Sequence, residues 1–233
     1  MASPLHRALD KVRLPYRSRR FRAALDIQPR ADLVGIADPT YGGYVVPASL
    51  LREDSVVFLC GTGTDITFDL ELISRFGCRV LAMDPVPAAA EYVAQAAADE
   101  PRHEFLPYAL WNEDTELTFH APRVEGYISH SATDMHGTEV AFTATARRLA
   151  TLAAERGVGH VDLLKISAEG SEYTILDDVL ASGIPVTIIA VEFATPVKPA
   201  VPLAHVEKLT SAGYQLVAAH TADYNWKLTF VRT

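Results

Sequence analysis

Cysteine is nearly absent from this chain: two in 233 residues, Cys60 and Cys78. Both sit in or beside apolar runs that read as buried strands, so they are small core residues. That excludes a disulfide framework and a cysteine-built zinc site. Long apolar runs are missing too. None reaches the roughly 18 residues of a membrane span. The amino terminus carries charge but not the apolar core of a signal peptide. The expectation is therefore a cytoplasmic protein with no membrane partner. Repeats and low-complexity tracts are also lacking. Hydrophobic residues make up 49% of the chain, ample for one core and enough to exclude global disorder.

Charge is present but unevenly placed. Residues 1–30 hold eight basic side chains and two acidic ones, a net +6 that leaves residues 31–233 at −14 within a total of −8. A basic arm of this kind binds an anion or packs on an acidic body. The acidic remainder argues against extended nucleic-acid contact, which needs many phosphate-neutralising cations. We divide the chain into a basic helical N-terminal arm, 1–40, and a main domain, 41–233. Homo-oligomerisation is left open.

The main domain alternates strand and helix. Val56 to Cys60, Arg79 to Met83, Glu104 to Leu106, Val161 to Ile166 and Val186 to Glu192 read as buried strands. Asp65 to Phe76, Ala88 to Ala98, Ala146 to Arg156, Glu172 to Ala181 and Leu203 to Ala212 read as helices, with Pro85 in a first helical turn. Glu116 to His120 alternates like an extra strand. Tyr214 to His220 and Asn225 to Val231 form a closing antiparallel pair. In the arm, residues 5 to 25 read as a helix broken at Pro15. This is an α/β chain with a doubly wound, Rossmann-like sheet and an antiparallel terminal strand.

The most informative stretch is Asp162-Leu-Leu-Lys-Ile-Ser-Ala-Glu-Gly-Ser-Glu-Tyr173. A buried strand interrupted by one lysine delivers polar groups to its carboxyl end, where open α/β sheets bind ligands. It resembles the K-x-D-x-E-G-x-E-Y motif of the FkbM family of S-adenosylmethionine (SAM)-dependent methyltransferases. Lys165, Glu169, Gly170, Glu172 and Tyr173 match, and Ser167 replaces the aspartate. Phe58-Leu-Cys-Gly-Thr-Gly-Thr-Asp-Ile-Thr-Phe-Asp69 is similar to the family's glycine loop. Arg75 to Pro85 is similar to its second strand, which ends in Asp-Pro. Pro107 to Trp111, Ser129-His-Ser131 and Tyr41-Gly-Gly-Tyr44 are further islands. The resemblance implies a seven-stranded sheet in the order 3-2-1-4-5-7-6 and SAM as cofactor.

The residues agree. Gly61 and Gly63 follow a buried strand and let backbone approach a ligand. Asp84 ends the second strand 21 positions after Gly63, where a carboxylate accepts ribose hydroxyl protons. The third glycine of a nicotinamide site is absent. Asp65 stands there instead, and an acid repels pyrophosphate but suits the α-amino group of SAM. The carboxylate for that group is Asp65 or Asp69, unless Asp65 is simply a helix cap. Tyr41 joins the cofactor site through its motif. Trp111 either flanks the adenine or is an ordinary core or surface tryptophan.

Methyl transfer to oxygen needs an aligned nucleophile and a base. His130 is the first candidate for that base, with a structural or cofactor-contacting role as its alternative. Lys165 and Glu169 face the cofactor or pair with each other. Ser167 and Glu192 are assigned to the acceptor pocket. With Ser167 in place of an aspartate, hard-metal ligands are too few, so no metal site is assigned. The expected function is O-methylation of a small hydroxylated metabolite, of the sugar or secondary-metabolite type. The rival is a catalytically weakened, methyltransferase-like SAM-binding protein.

Overall fold

The computed structural model describes residues 4–124, 126–134, 137–194, 198–221 and 225–233. The elements in chain order are α1 (Pro4–Ala23), β1 (Leu33–Ile36), β2 (Tyr44–Pro47), β3 (Val56–Cys60), α2 (Thr67–Phe76), β4 (Arg79–Met83), α3 (Pro87–Ala96), β5 (His103–Leu106), β6 (Ala109–Leu110), β7 (Thr115–His120), β8 (Val140–Arg147), α4 (Leu149–Glu155), β9 (Val161–Ser167), α5 (Glu172–Ser182), β10 (Val186–Ala194), α6 (Ala200–Ser211), β11 (Tyr214–Thr221) and β12 (Asn225–Arg232).

Seven strands form the main sheet in the order β11-β12-β10-β9-β3-β4-β5. Numbered along the sheet-forming strands alone, that is 3-2-1-4-5-7-6, the expected order. β10, β9, β3, β4 and β5 run parallel, and β12 pairs antiparallel with both β10 and β11. The period-two alternation of each strand splits the interior into two cores. Phe58, Cys60, Leu164, Ile166, Ile189 and Val191 face one core, shared with α4 and α5. Val57, Leu59, Leu163, Ile188 and Ala190 face the other, shared with α2 and the β1–β2 hairpin.

Four local expectations change. The helix assignment of α1 continues through Pro15, which gives up one backbone hydrogen bond without ending the helix. The proline in the first turn of α3 is Pro87, not Pro85, because Val86 is the extended residue before the helix. Ala146 and Arg147 end strand β8 rather than opening a helix. β8 forms because β7 is there to pair with it: Phe119 faces Phe142 in register, their rings stacked at 5.1 Å. Finally, β1 and β2 pair as a hairpin, and the boundary at 40/41 falls in its connection. The small sheet β6-β8-β7 lies in the connection between β5 and β9.

The arm is docked on the main sheet. Phe21 is fully buried and stacks on Trp226 at 4.2 Å, while Trp226 Nε1 donates to Ser18 Oγ at 2.9 Å. Phe21→Ala removes a buried ring and its stacking partner. We expect a loss of about 3 kcal/mol or more, measured as a lower urea midpoint with an unchanged dependence on denaturant.

Candidate active site

The sheet's carboxyl end opens into a cavity of about 310 Å³ lined by Tyr41, Gly61, Gly63, Asp65, Asp84, His130, Lys165, Ser167, Glu169 and Glu192, among others. Ten of the eleven candidate side chains therefore surround one space. Trp111 does not line it. Its backbone N–H donates to Arg147 O, and its ring packs against the small cluster of Ala109, Phe119 and Ala146. Of its two readings, this packing matches the core tryptophan.

The glycine loop owes its shape to contacts with its neighbours. Gly61 and Gly63 adopt φ of +84° and +61°. A Cβ on Gly61 would lie 1.9 Å from Ser167 O, so only glycine fits where β3 and β9 end side by side. Gly63 has open space, with Ile128 the nearest neighbour at 3.5 Å from its absent Cβ. Asp84 is buried, and its two oxygens accept the N–H groups of Gly63 (2.8 Å) and Val86 (2.9 Å). Burial raises its pKa against these hydrogen bonds. Each oxygen keeps a second lone pair for a ligand hydroxyl.

Lys165 does not pair with Glu169. Its Nζ donates to Gly61 O at 2.9 Å and fixes the loop from the neighbouring strand. Asp65 Oδ1 accepts from the N–H and hydroxyl of Thr67 at the start of α2 (2.9 and 2.7 Å). These bonds form a local turn ahead of α2, whose N-cap residue is Ile66, and Asp65 also lines the cavity. Asp69 does not line it: it is buried against His103 Nε2 at 3.0 Å, which removes it as a partner for the cofactor's amino group.

Glu169 sits in a turn with φ of +44°, a conformation that costs energy for a non-glycine residue. Burial first, then the nearby carboxylates of Glu192 and Glu172, push its carboxyl up to about 7, opposed by a hydrogen bond from Ser129. Ser131 Oγ donates to Glu169 O at 2.6 Å, tying the His130 segment to this turn. His130 Nδ1 donates to Ile128 O at 2.9 Å, Nε2 has no hydrogen-bond partner among the described residues, and the ring stands edge-on to Phe142.

Glu192 Oε2 lies 3.4 Å from both Ser167 Oγ and Tyr44 Oη and 3.9 Å from Lys227 Nζ. Tyr44 was noted only as the end of the Tyr41-Gly-Gly-Tyr44 island and Lys227 only within its strand, since nothing local in the sequence joins either to Glu192. Glu172 staples the site from behind: its oxygens accept the N–H groups of Gly170 (2.8 Å) and Ala194 (2.9 Å). Among the described residues, no group of three His, Cys, Asp or Glu could hold a metal ion. His136 lies outside the described residues. Among the described residues, no helix is long and apolar enough to cross a membrane.

A doubly wound sheet with an antiparallel last pair defines a class when it carries a glycine loop after its first strand and a buried acid at the end of its second. That class is the SAM-dependent methyltransferases. The residues fit the cofactor. Gly63 leaves room above the loop, and the carboxylates of Asp84 and Asp65 line the cavity beside it. The family profile described as the methyltransferase FkbM domain matches residues 60–216, and the chain belongs to that family. It is a methyltransferase with SAM as cofactor. No curated protein matches the sequence.

Several solved structures are similar to this chain. The methyltransferase FkbM of Methylobacillus flagellatus KT is 16% identical with a TM-score of 0.52, over 99% of this chain and 56% of that one. Precorrin-6y C5,15-methyltransferase of Geobacter metallireducens GS-15 is 14% identical with a TM-score of 0.47, over 80% and 85%. Aeropyrum pernix fibrillarin, in complex with S-adenosyl-L-methionine, is 8% identical with a TM-score of 0.46, over 78% and 68%.

The raised Glu169 carboxyl sets a pH dependence. The folded chain holds this proton up to about pH 7, whereas an ordinary glutamate gives it up near 4.5. The stabilisation is complete below 4.5 and is lost as pH rises to about 7, a change of about 3 kcal/mol. Glu169→Gln escapes that loss. Its unfolding free energy relative to wild type should rise by up to about 3 kcal/mol between pH 4 and pH 8, read by urea denaturation.

Proposed function

We propose that this chain is an O-methyltransferase acting on a hydroxyl of a small metabolite, of the sugar or secondary-metabolite type, without a metal. One observation carries the reading. A histidine whose Nε2 has no partner among the described residues lines the same cavity as the glycine loop and Asp84. A proton acceptor thus stands beside the place where SAM presents its electrophilic sulfonium methyl group.

In this reading Gly61, Gly63, Asp65, Asp84 and Tyr41 hold the cofactor, and Lys165 keeps the loop in place. Ser167 and Glu192 hold the acceptor by hydrogen bonds. Glu169, on the turn tied to the His130 segment, is a second proton-holding group. His130 Nε2 would take the proton of the acceptor hydroxyl as the hydroxyl oxygen bonds to the methyl carbon, whose bond to sulfur breaks and leaves S-adenosylhomocysteine. His130 keeps its own proton on Nδ1, directed at Ile128 O, so Nε2 has a lone pair to receive it.

The cavity's charges bear on the acceptor. Asp65, Asp84, Glu169 and Glu192 line it, and its one lysine, Lys165, is engaged by Gly61 O. Lys165, and Lys227 behind Glu192, offset part of this charge, and among the described residues a phosphate or polycarboxylate would still meet an excess of acidic groups. This supports an acceptor without negative charge and weighs against nucleic acid. Glu192 stands 3.4 Å from Ser167 Oγ, so a carboxylate remains where the family aspartate is missing. That favours catalysis over a binding-only role.

Two measurements test the reading. Calorimetry with S-adenosylhomocysteine should give binding heat in wild type, and Asp84→Asn should weaken it about 10- to 100-fold. Once an acceptor is found, His130→Gln should lower turnover roughly 100-fold with product affinity nearly unchanged. Turnover should survive a chelator. No heat with wild type ends the cofactor-site reading. An unimpaired His130→Gln enzyme removes the base.

A further inference from the structure

Lys227 lies outside the cavity wall, yet it touches the segment that forms one lip of it. It is 4% exposed. Its Nζ donates to three backbone carbonyls: Pro39 (3.2 Å), Tyr41 and Gly43 (3.1 Å). A lysine ammonium has three donors and no acceptor, so one cation is saturated by one turn. The turn's own N–H groups are satisfied elsewhere. Those of Tyr41 and Gly43 donate to Asp38 O, and that of Thr40 donates to Asp38 Oδ1. Gly43 presses so closely on the end of β1 that a Cβ there would lie 2.4 Å from Ile36 O. Thr40, Tyr41 and Gly42 of this turn line the cavity.

The groups facing Lys227 explain why a charge is kept in so dry a place. Glu192 on β10 and His220 on β11 are its register partners. Tyr44 on β2 lies below its ammonium, 4.9 Å from ring centroid to Nζ. Desolvation lowers its pKa, Glu192 and Asp38 raise it, and Lys165 lowers it. A buried cation without partners would cost several kcal/mol. Here backbone dipoles and one carboxylate supply them. The Tyr41 side chain is 69% exposed, so packing does little to fix it. Its place depends on the backbone beneath it.

We propose that Lys227 is a positioning residue: it clamps the Pro39–Gly43 turn so that Tyr41 and Gly42 stand over the cavity, and it sets cofactor affinity through that turn. The inference rests on the reading of the cavity as the SAM site. Without the cation, three carbonyl oxygens converge with no donor, the turn opens and Tyr41 leaves the mouth.

The test is a double-mutant cycle read by calorimetry with S-adenosylhomocysteine, with thermal melts to confirm folding. Lys227→Met should weaken binding at least about tenfold, and Tyr41→Ala should weaken it by itself. In the Tyr41→Ala background the further loss from Lys227→Met should shrink to about threefold or less, because both changes act on one turn. If Lys227→Met does not fold, Lys227→Gln, which keeps two donors, takes its place with an expected loss of about threefold that again shrinks without Tyr41. Unchanged affinity, or losses that simply add, would overturn the clamp. Absence of wild-type binding would instead sink the cofactor-site reading, so the two failures are distinguishable.

Discussion

At the carboxyl end of the sheet, β3 and β9 finish so close together that Gly61 lies against the carbonyl of Ser167. The rest of the site follows from that contact. It turns the loop after β3 out over the cavity, and it brings Gly61 O within reach of Lys165 on the adjoining strand. It also helps to place the Gly63 N–H on Asp84. A side chain at residue 61 would separate the two strand ends and break both bonds. Strand ends leave backbone groups without ladder partners. Here buried charges take them up: Asp84 serves Gly63 and Val86, Glu172 serves Gly170 and Ala194, and Lys227 serves three carbonyls of the hairpin turn. Fixed dipoles stabilise all three charges, and Lys227 has the Glu192 carboxylate at 3.9 Å besides.

This explains the spacing of the motif on β9. Its lysine reaches sideways to the neighbouring loop. Its first glutamate, Glu169, is left facing the cavity with a carboxyl raised to about 7. Its second glutamate, Glu172, turns back to bind the turn to the end of β10. Its tyrosine stacks on Phe193 at 5.4 Å. One short segment supplies a clamp, a carboxyl on the cavity, a staple and a core contact. They diverge because a strand end, a turn and a helix start point their side chains in different directions.

The main sheet was legible because its strands are continuous apolar runs bounded by turn residues, and its order came from the family resemblance. The small sheet was only half legible. β7 alternates visibly, but β8 (Val140–Arg147) is rich in alanine and threonine and becomes a strand through pairing with β7, a non-local cause. The hairpin of β1 and β2 escaped notice because each strand has only four residues. Among site residues, those carried by motifs were found. Asp69 looked like a loop acid but points to His103. Lys227 was missed because it sits 184 residues from Gly43, and no sequence pattern joins a last-strand lysine to a turn near the start.

The small sheet β6-β8-β7 contributes Ala109, Leu110, Leu117 and Phe119 to the cavity, yet no strand of it joins the main sheet. The cofactor wall and this second wall thus come from separate stretches of chain. The first is tied to the fold by buried charges. The second is an insertion between β5 and β9 with a small core of its own. Evolution can reshape such an insertion, residue by residue or by replacement, without disturbing the glycine loop. A family built this way can diversify what it methylates while the apparatus that presents the methyl group stays constant.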